Sequence, residues 1–128
     1  MKRKVLKILA VFMVLAVVTA VAVVAASATT TLTSTSYYAR GSECLGNRAD
    51  TTFNCFTESA HSCNFRLVAK LSSTQTFNYH NMNLAPGQSF RDSNCKGYYN
   101  WYNYIQPVNP GSSGVGGQGR ATLYTYAS

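Results

Sequence analysis

Past its first 28 residues this 128-residue chain has little to do chemistry with. It holds four carboxylates (Glu43, Asp50, Glu58, Asp92) and two histidines, His61 and His80. No serine lies in a nucleophile elbow, and neither histidine sits at metal-ligand spacing. The cysteines Cys44, Cys55, Cys63 and Cys95 form no CxxC pair, so a zinc site is not expected. Asn-x-Ser/Thr sequons are missing, which excludes an N-glycan. No stretch keeps a helical period for more than about two turns, and there is no internal repeat. A literal GxGxxG in Gly114, Gly116 and Gly119 precedes a strand-like segment, whereas a dinucleotide fingerprint must open a helix. These absences point to a protein that is not an enzyme and uses neither metal nor cofactor.

What is abundant is divided between two regions. Lys2, Arg3, Lys4 and Lys7 are followed by an apolar run from Ile8 to Val18, interrupted only at Thr19 before Ala26. Ala26-Ser27-Ala28 then supplies small residues at a cleavage spacing. A basic start, an apolar stretch and that triplet are the parts of a secretory signal, expected over residues 1–28. The apolar stretch is also at the lower limit for a membrane span, so an uncleaved anchor over residues 5–26 is the competing expectation. Either way the basic end stays inside and the remainder is exported. Removing those four cations lowers the net charge from +7 to +3. No basic stripe is left for a phosphate backbone, so nucleic acid is not an expected partner, and the membrane is touched only by the N-terminal segment.

Residues 29–36, nearly all Thr and Ser, read as a flexible leader or else as a first edge strand. From Tyr37 the pattern has period two. Phe65, Leu67, Ala69 and Leu71 alternate with Asn64, Arg66, Val68 and Lys70, as on a half-buried strand. Thr76–Leu84 reads as its partner, Pro86-Gly87 and Asp92-Ser93-Asn94 as turns, and Asn109–Gly119 as a mobile loop. The expected fold is all-β: a small, disulfide-stapled antiparallel β-sandwich or barrel of about six strands over residues 37–128, preceded by the hydrophobic signal helix. Four cysteines allow three pairings; Cys44–Cys55 with Cys63–Cys95 is the expected one.

The aromatic run 98–104 carries the functional reading. On a strand Tyr99, Trp101, Asn103 and Ile105 share one face, the natural core side. Tyr98, Asn100, Tyr102 and Tyr104 share the other. Flat rings with wet hydroxyls suit sugars and protein surfaces alike, although tyrosines also pair across strands for purely structural reasons. The expectation is a secreted recognition domain that binds a glycan or an extracellular protein through Tyr98, Asn100, Tyr102 and Tyr104. An exported effector (a peptidase inhibitor or antimicrobial protein) is the first alternative. A structural protein that assembles through exposed strand edges is the second.

Overall fold

Period-two patterning becomes one continuous antiparallel sheet. A computed structural model describes residues 24–127, and its strands are β1 (Val24–Leu32), β2 (Ala39–Arg40), β3 (Cys44–Cys55), β4 (Cys63–Lys70), β5 (Thr76–Leu84), β6 (Ser89–Pro107) and β7 (Gly119–Tyr126). They lie in the order β1-β7-β3-β6-β4-β5, with the short β2 also paired to β6. The sheet thus has seven strands rather than about six. Among the described residues the only helical piece is a 3-10 turn at Gly111–Ser113.

β6 organises the sheet. Its first two thirds pair with β3, from Ser89 opposite Asn54 to Trp101 opposite Cys44. Its last third pairs with β4, from Asn100 opposite Lys70 to Pro107 opposite Cys63. The sheet curls about this strand, because His80 on β5 reaches Asp92 in the first part of β6. Into the resulting interior point Phe53, Phe65, Leu67, Trp101, Ile105, Ala121 and Leu123, all fully buried. Phe53 and Phe65 stack at 5.2 Å between ring centres, and Tyr79 and Tyr99 meet Trp101 edge-on. Burying such side chains is the main term holding a small sheet together.

Several expectations need correction. Asp92-Ser93-Asn94 is not a turn: β6 runs through it, with a bulge where Ala49 faces Cys95 but Thr51 faces Asp92. Leu71, expected at the core, lies just beyond the end of β4 and is 55% exposed. The Gly-rich loop is packed rather than loose. Gly114, in the left-handed region at φ 70°, lies under the Tyr37 ring, and Ala60 N–H donates to Gly116 O at 3.0 Å.

The N-terminal boundary also reads differently in space. The basic start and the apolar run through Val23 lie outside the described residues, as does the expected signal helix. Val24–Ala28 and Thr29–Leu32 together form β1, paired with β7 from Tyr126 to Gly119. The first half of the Ser/Thr segment is therefore edge strand and not flexible leader. Only Thr30 and Leu32 of β1 are buried, so a cut after Ala28 would leave both anchoring side chains in place.

The expected cysteine pairing does not fit this topology. Cys44 and Cys55 sit at opposite ends of β3, about 36 Å apart at strand rise. A disulfide needs Cα atoms within roughly 7 Å. Cys95 faces Ala49, six residues up β3 from Cys55 and so about 20 Å from it. Cys63 lies beside Cys55, not Cys95: both sulfurs approach the carbonyl oxygens of His61 (4.0 and 3.9 Å) and Gln118 (3.8 and 3.7 Å). All four cysteines are buried thiols in the structure.

Candidate functional site

The face opposite the core is built from β5, β4, β6 and β2. Strand alternation fixes its membership. Trp101, Asn103 and Ile105 are buried, while Tyr98 and Asn100 are exposed and Tyr102 and Tyr104 half-buried. The four residues expected to share a face do so. Asn103, placed on the core side by the same alternation, accepts a hydrogen bond from Thr51 Oγ1 at 3.1 Å.

Cross-strand register brings cations and amides among these tyrosines. Arg66 faces Tyr104, Val68 faces Tyr102 and Lys70 faces Asn100. One strand further out, Asn81 faces Arg66 and Asn83 faces Asn64. Asn64 Nδ2 donates to the side-chain oxygens of Asn81 and Asn83 at 2.7 and 2.9 Å, and Arg66 Nε donates to Asn64 Oδ1 at 2.9 Å. On the other flank the Arg40 guanidinium lies 4.2 Å from the Tyr102 ring centre, and that of Arg66 lies 5.5 Å from the Tyr104 centre. Such contacts hold a ring in place at about 0.5–1 kcal/mol each on a surface. Glu43 ties the edge together through Lys70 at 2.7 Å and Arg40 at 3.5 Å. The Lys70 hydrogen bond, the largest influence on the Glu43 carboxyl, holds it below its ordinary range.

One tyrosine of this surface was not identified from sequence. Tyr38 stacks on Tyr104 at 5.6 Å with ring planes 12° apart, and so covers one side of that ring. Its own outer side stays open, as does Tyr98; the two are 58% and 66% exposed. The open aromatic area of this face therefore belongs to Tyr38 and Tyr98, while Tyr102 and Tyr104 are partly capped by Arg40, Arg66 and Tyr38. The available signal was the Tyr37-Tyr38 doublet before the core pattern starts, but nothing in its spacing places it beside residue 104.

A second cluster joins His80 of β5 to Asp92 and Cys95 of β6. His80 Nε2 is 2.8 Å from Asp92 Oδ2, and Asn94 N–H donates to Asp92 Oδ1 at 2.9 Å. The Cys95 thiol lies against them, buried. Burial, reinforced by the neighbouring Asp92 charge, pushes this thiol up to about 12. It is thus held as S–H, and a Cys-His-Asp nucleophile is a poor description of the cluster. Asp92 moves the other way: the Asn94 N–H, ahead of the His80 hydrogen bond, holds its carboxyl below the ordinary value of 3.8. A depressed carboxylate stabilises the fold above its unfolded pKa and loses that contribution as pH falls through the folded one. Thermal melting should therefore be level near neutrality and fall below about pH 4. Asp92→Asn should flatten that acid limb, as read by circular dichroism against pH.

No family model matches the chain, and no curated protein matches it. Among solved structures, the crystal structure of PirA aligns over 78% of this chain and 92% of its own, at 7% identity and a TM-score of 0.47. The Yersinia pseudotuberculosis-derived mitogen aligns over 80% of this chain and 85% of its own, at 9% identity and a TM-score of 0.39. Both are distant similarities in the course of an all-β chain and carry no functional argument.

Proposed function

We propose that this chain is an exported, non-enzymatic recognition domain that binds glycans through the outer face of β2, β6, β4 and β5. The observation carrying this reading is the open Tyr38 ring stacked on Tyr104 beside a hydrogen-bonded Asn/Arg ladder (Asn64, Arg66, Asn81, Asn83), with the open Tyr98 ring further along the same side of β6. Sugar rings offer apolar C–H faces that stack on aromatics and hydroxyls that exchange hydrogen bonds with amides and guanidinium groups. Rings held by cation–π and stacking contacts lose little freedom on binding. A protein partner favours a drier, more apolar centre than this ladder provides. A glycan and cell-wall polysaccharide array probed with the full chain tests the reading. A specific hit supports it; a blank from a folded sample counts against it.

Export also bears on the thiols. In an oxidising compartment we expect Cys55 and Cys63 to cross-link to each other, leaving Cys44 and Cys95 as thiols. Closing so short a loop is worth about 2.5 kcal/mol in the chain-entropy model. Peptide mapping without reduction should show the Cys55–Cys63 peptide pair; any disulfide involving Cys95 would contradict the topology.

A further inference from the structure

We infer that His80, Asp92 and Cys95 form a binding site for a divalent transition-metal ion, best suited to zinc. Their donor atoms all lie within 4.8 Å of one another, on one side of the sheet interior. This site is separate from the glycan face and independent of it.

The chain makes two departures from regular strand geometry to bring these donors together. In β6, Asp92 and Cys95 are three residues apart, a spacing that on a plain strand points side chains to opposite faces. The bulge at Ser93-Asn94 inserts one extra residue, so both face inward. In β5 a second irregularity falls where Leu67 faces His80 but Val68 faces Asn78. It lets Tyr79 pack on Trp101 while the next residue, His80, also reaches into the interior toward Asp92. Bulges are used in this way to re-aim side chains beside functional sites.

The donor set suits the ion. Imidazole nitrogen, thiolate sulfur and carboxylate oxygen are the ligand types zinc takes, with bonds of about 2.0–2.3 Å. Tetrahedral binding at those lengths spaces donors about 3.3–3.8 Å apart. His80 Nε2 and Asp92 Oδ2, 2.8 Å apart in their shared hydrogen bond, must separate slightly to reach that spacing, the ion taking the place of the proton between them, while Cys95 Sγ lies within 4.8 Å of both. Binding releases the thiol proton to solvent. The thiolate and the Asp92 carboxylate then balance the two charges of the ion, and His80 stays neutral. Cys95 is fully buried, whereas the His80 and Asp92 side chains keep 21% and 28% of their surface. A fourth position thus opens toward solvent and would hold water. Cys95 also has no cysteine within disulfide reach, and its buried sulfur faces a carboxylate and an imidazole rather than a purely apolar shell.

Titration of the reduced full chain in detergent with Co2+, followed by competition with Zn2+, tests this site. The expected result is a near-ultraviolet thiolate-to-cobalt charge-transfer band with tetrahedral visible absorption, both removed by stoichiometric Zn2+. Loss of even a second-shell partner typically weakens metal binding about 10–100-fold, so His80→Gln should weaken it at least that much. The half-exposed position of His80 makes folding of that variant checkable by circular dichroism, and Cys95→Ser should abolish the band. No band in the folded wild type would overturn the site. So would a band that survives Cys95→Ser, which would place the ion at Cys55 and Cys63, or one indifferent to His80→Gln.

Discussion

Replacing Trp101 with alanine is expected to destabilise the domain by about 3–5 kcal/mol, the range for emptying a buried aromatic site. Trp101 is fully buried where β6 passes from its pairing with β3 to its pairing with β4, so it touches both halves of the curled sheet. Its indole N–H donates to Gly46 O at 3.3 Å, and Tyr79 and Tyr99 pack on it edge-on. The substitution removes these contacts together with the indole hydrogen bond to Gly46 O. Small domains are stable by only about 5–15 kcal/mol, and each kcal/mol shifts the melting point of about 100 residues by roughly 4–8 °C. The melting midpoint should therefore drop by at least about 12 °C. A shift of only a few degrees would mean that Trp101 is not the hub of the interior.

The second large effect is on binding, with stability nearly spared. Tyr38→Ser with Tyr98→Ser removes two open rings that take little part in the core. Interface aromatics that carry binding cost about 2 kcal/mol or more when truncated, and 1.4 kcal/mol is tenfold in affinity. Loss of the pair should therefore weaken glycan binding by more than about 100-fold. Melting should change by no more than the roughly 0.5–1.5 kcal/mol of the Tyr38–Tyr104 stack. Tyr102→Ser with Tyr104→Ser should also reduce binding. Its stability cost should be larger, because Arg40 and Arg66 lose the rings they cover. Calorimetry and thermal melting on the same samples separate the two effects. If Tyr38→Ser/Tyr98→Ser binds as well as the wild type, the open rings are not the contact surface.

The two faces of β6 were legible in the sequence because strand alternation is a short-range rule. Once Trp101 and Ile105 go inward, Tyr98, Asn100, Tyr102 and Tyr104 go outward, and no long-range information is needed. The partners of those tyrosines were not legible. Arg40, Arg66 and Tyr38 reach them through β2 and β4, whose register follows from the whole sheet. The bulges explain the remaining misreadings. Asp92-Ser93-Asn94 carries turn chemistry, and Asn94 N–H does close onto Asp92 Oδ1, but here that local hydrogen bond kinks a continuing strand. Because the kink also flips side-chain parity, a regular strand gave no reason to join Asp92, Cys95 and His80. Cysteine pairing failed for a related reason. Spacing made Cys44 and Cys55 look like neighbours across a short loop, whereas one continuous strand keeps them at its two ends. Thr29–Leu32 holds one apolar residue, Leu32, which together with Thr30 buries the segment against the core.

Backbone amide shifts, followed by NMR while the strongest array hit is titrated in, test the central claim most directly. The expected changes fall on Tyr38, Arg40, Arg66, Asn81, Tyr98, Asn100, Tyr102 and Tyr104, with β1 and β7 unmoved. Changes confined to the outer side of β1, β7 and β3, or to the Cys44–Cys63 segment, would place recognition elsewhere and contradict the assignment of this face.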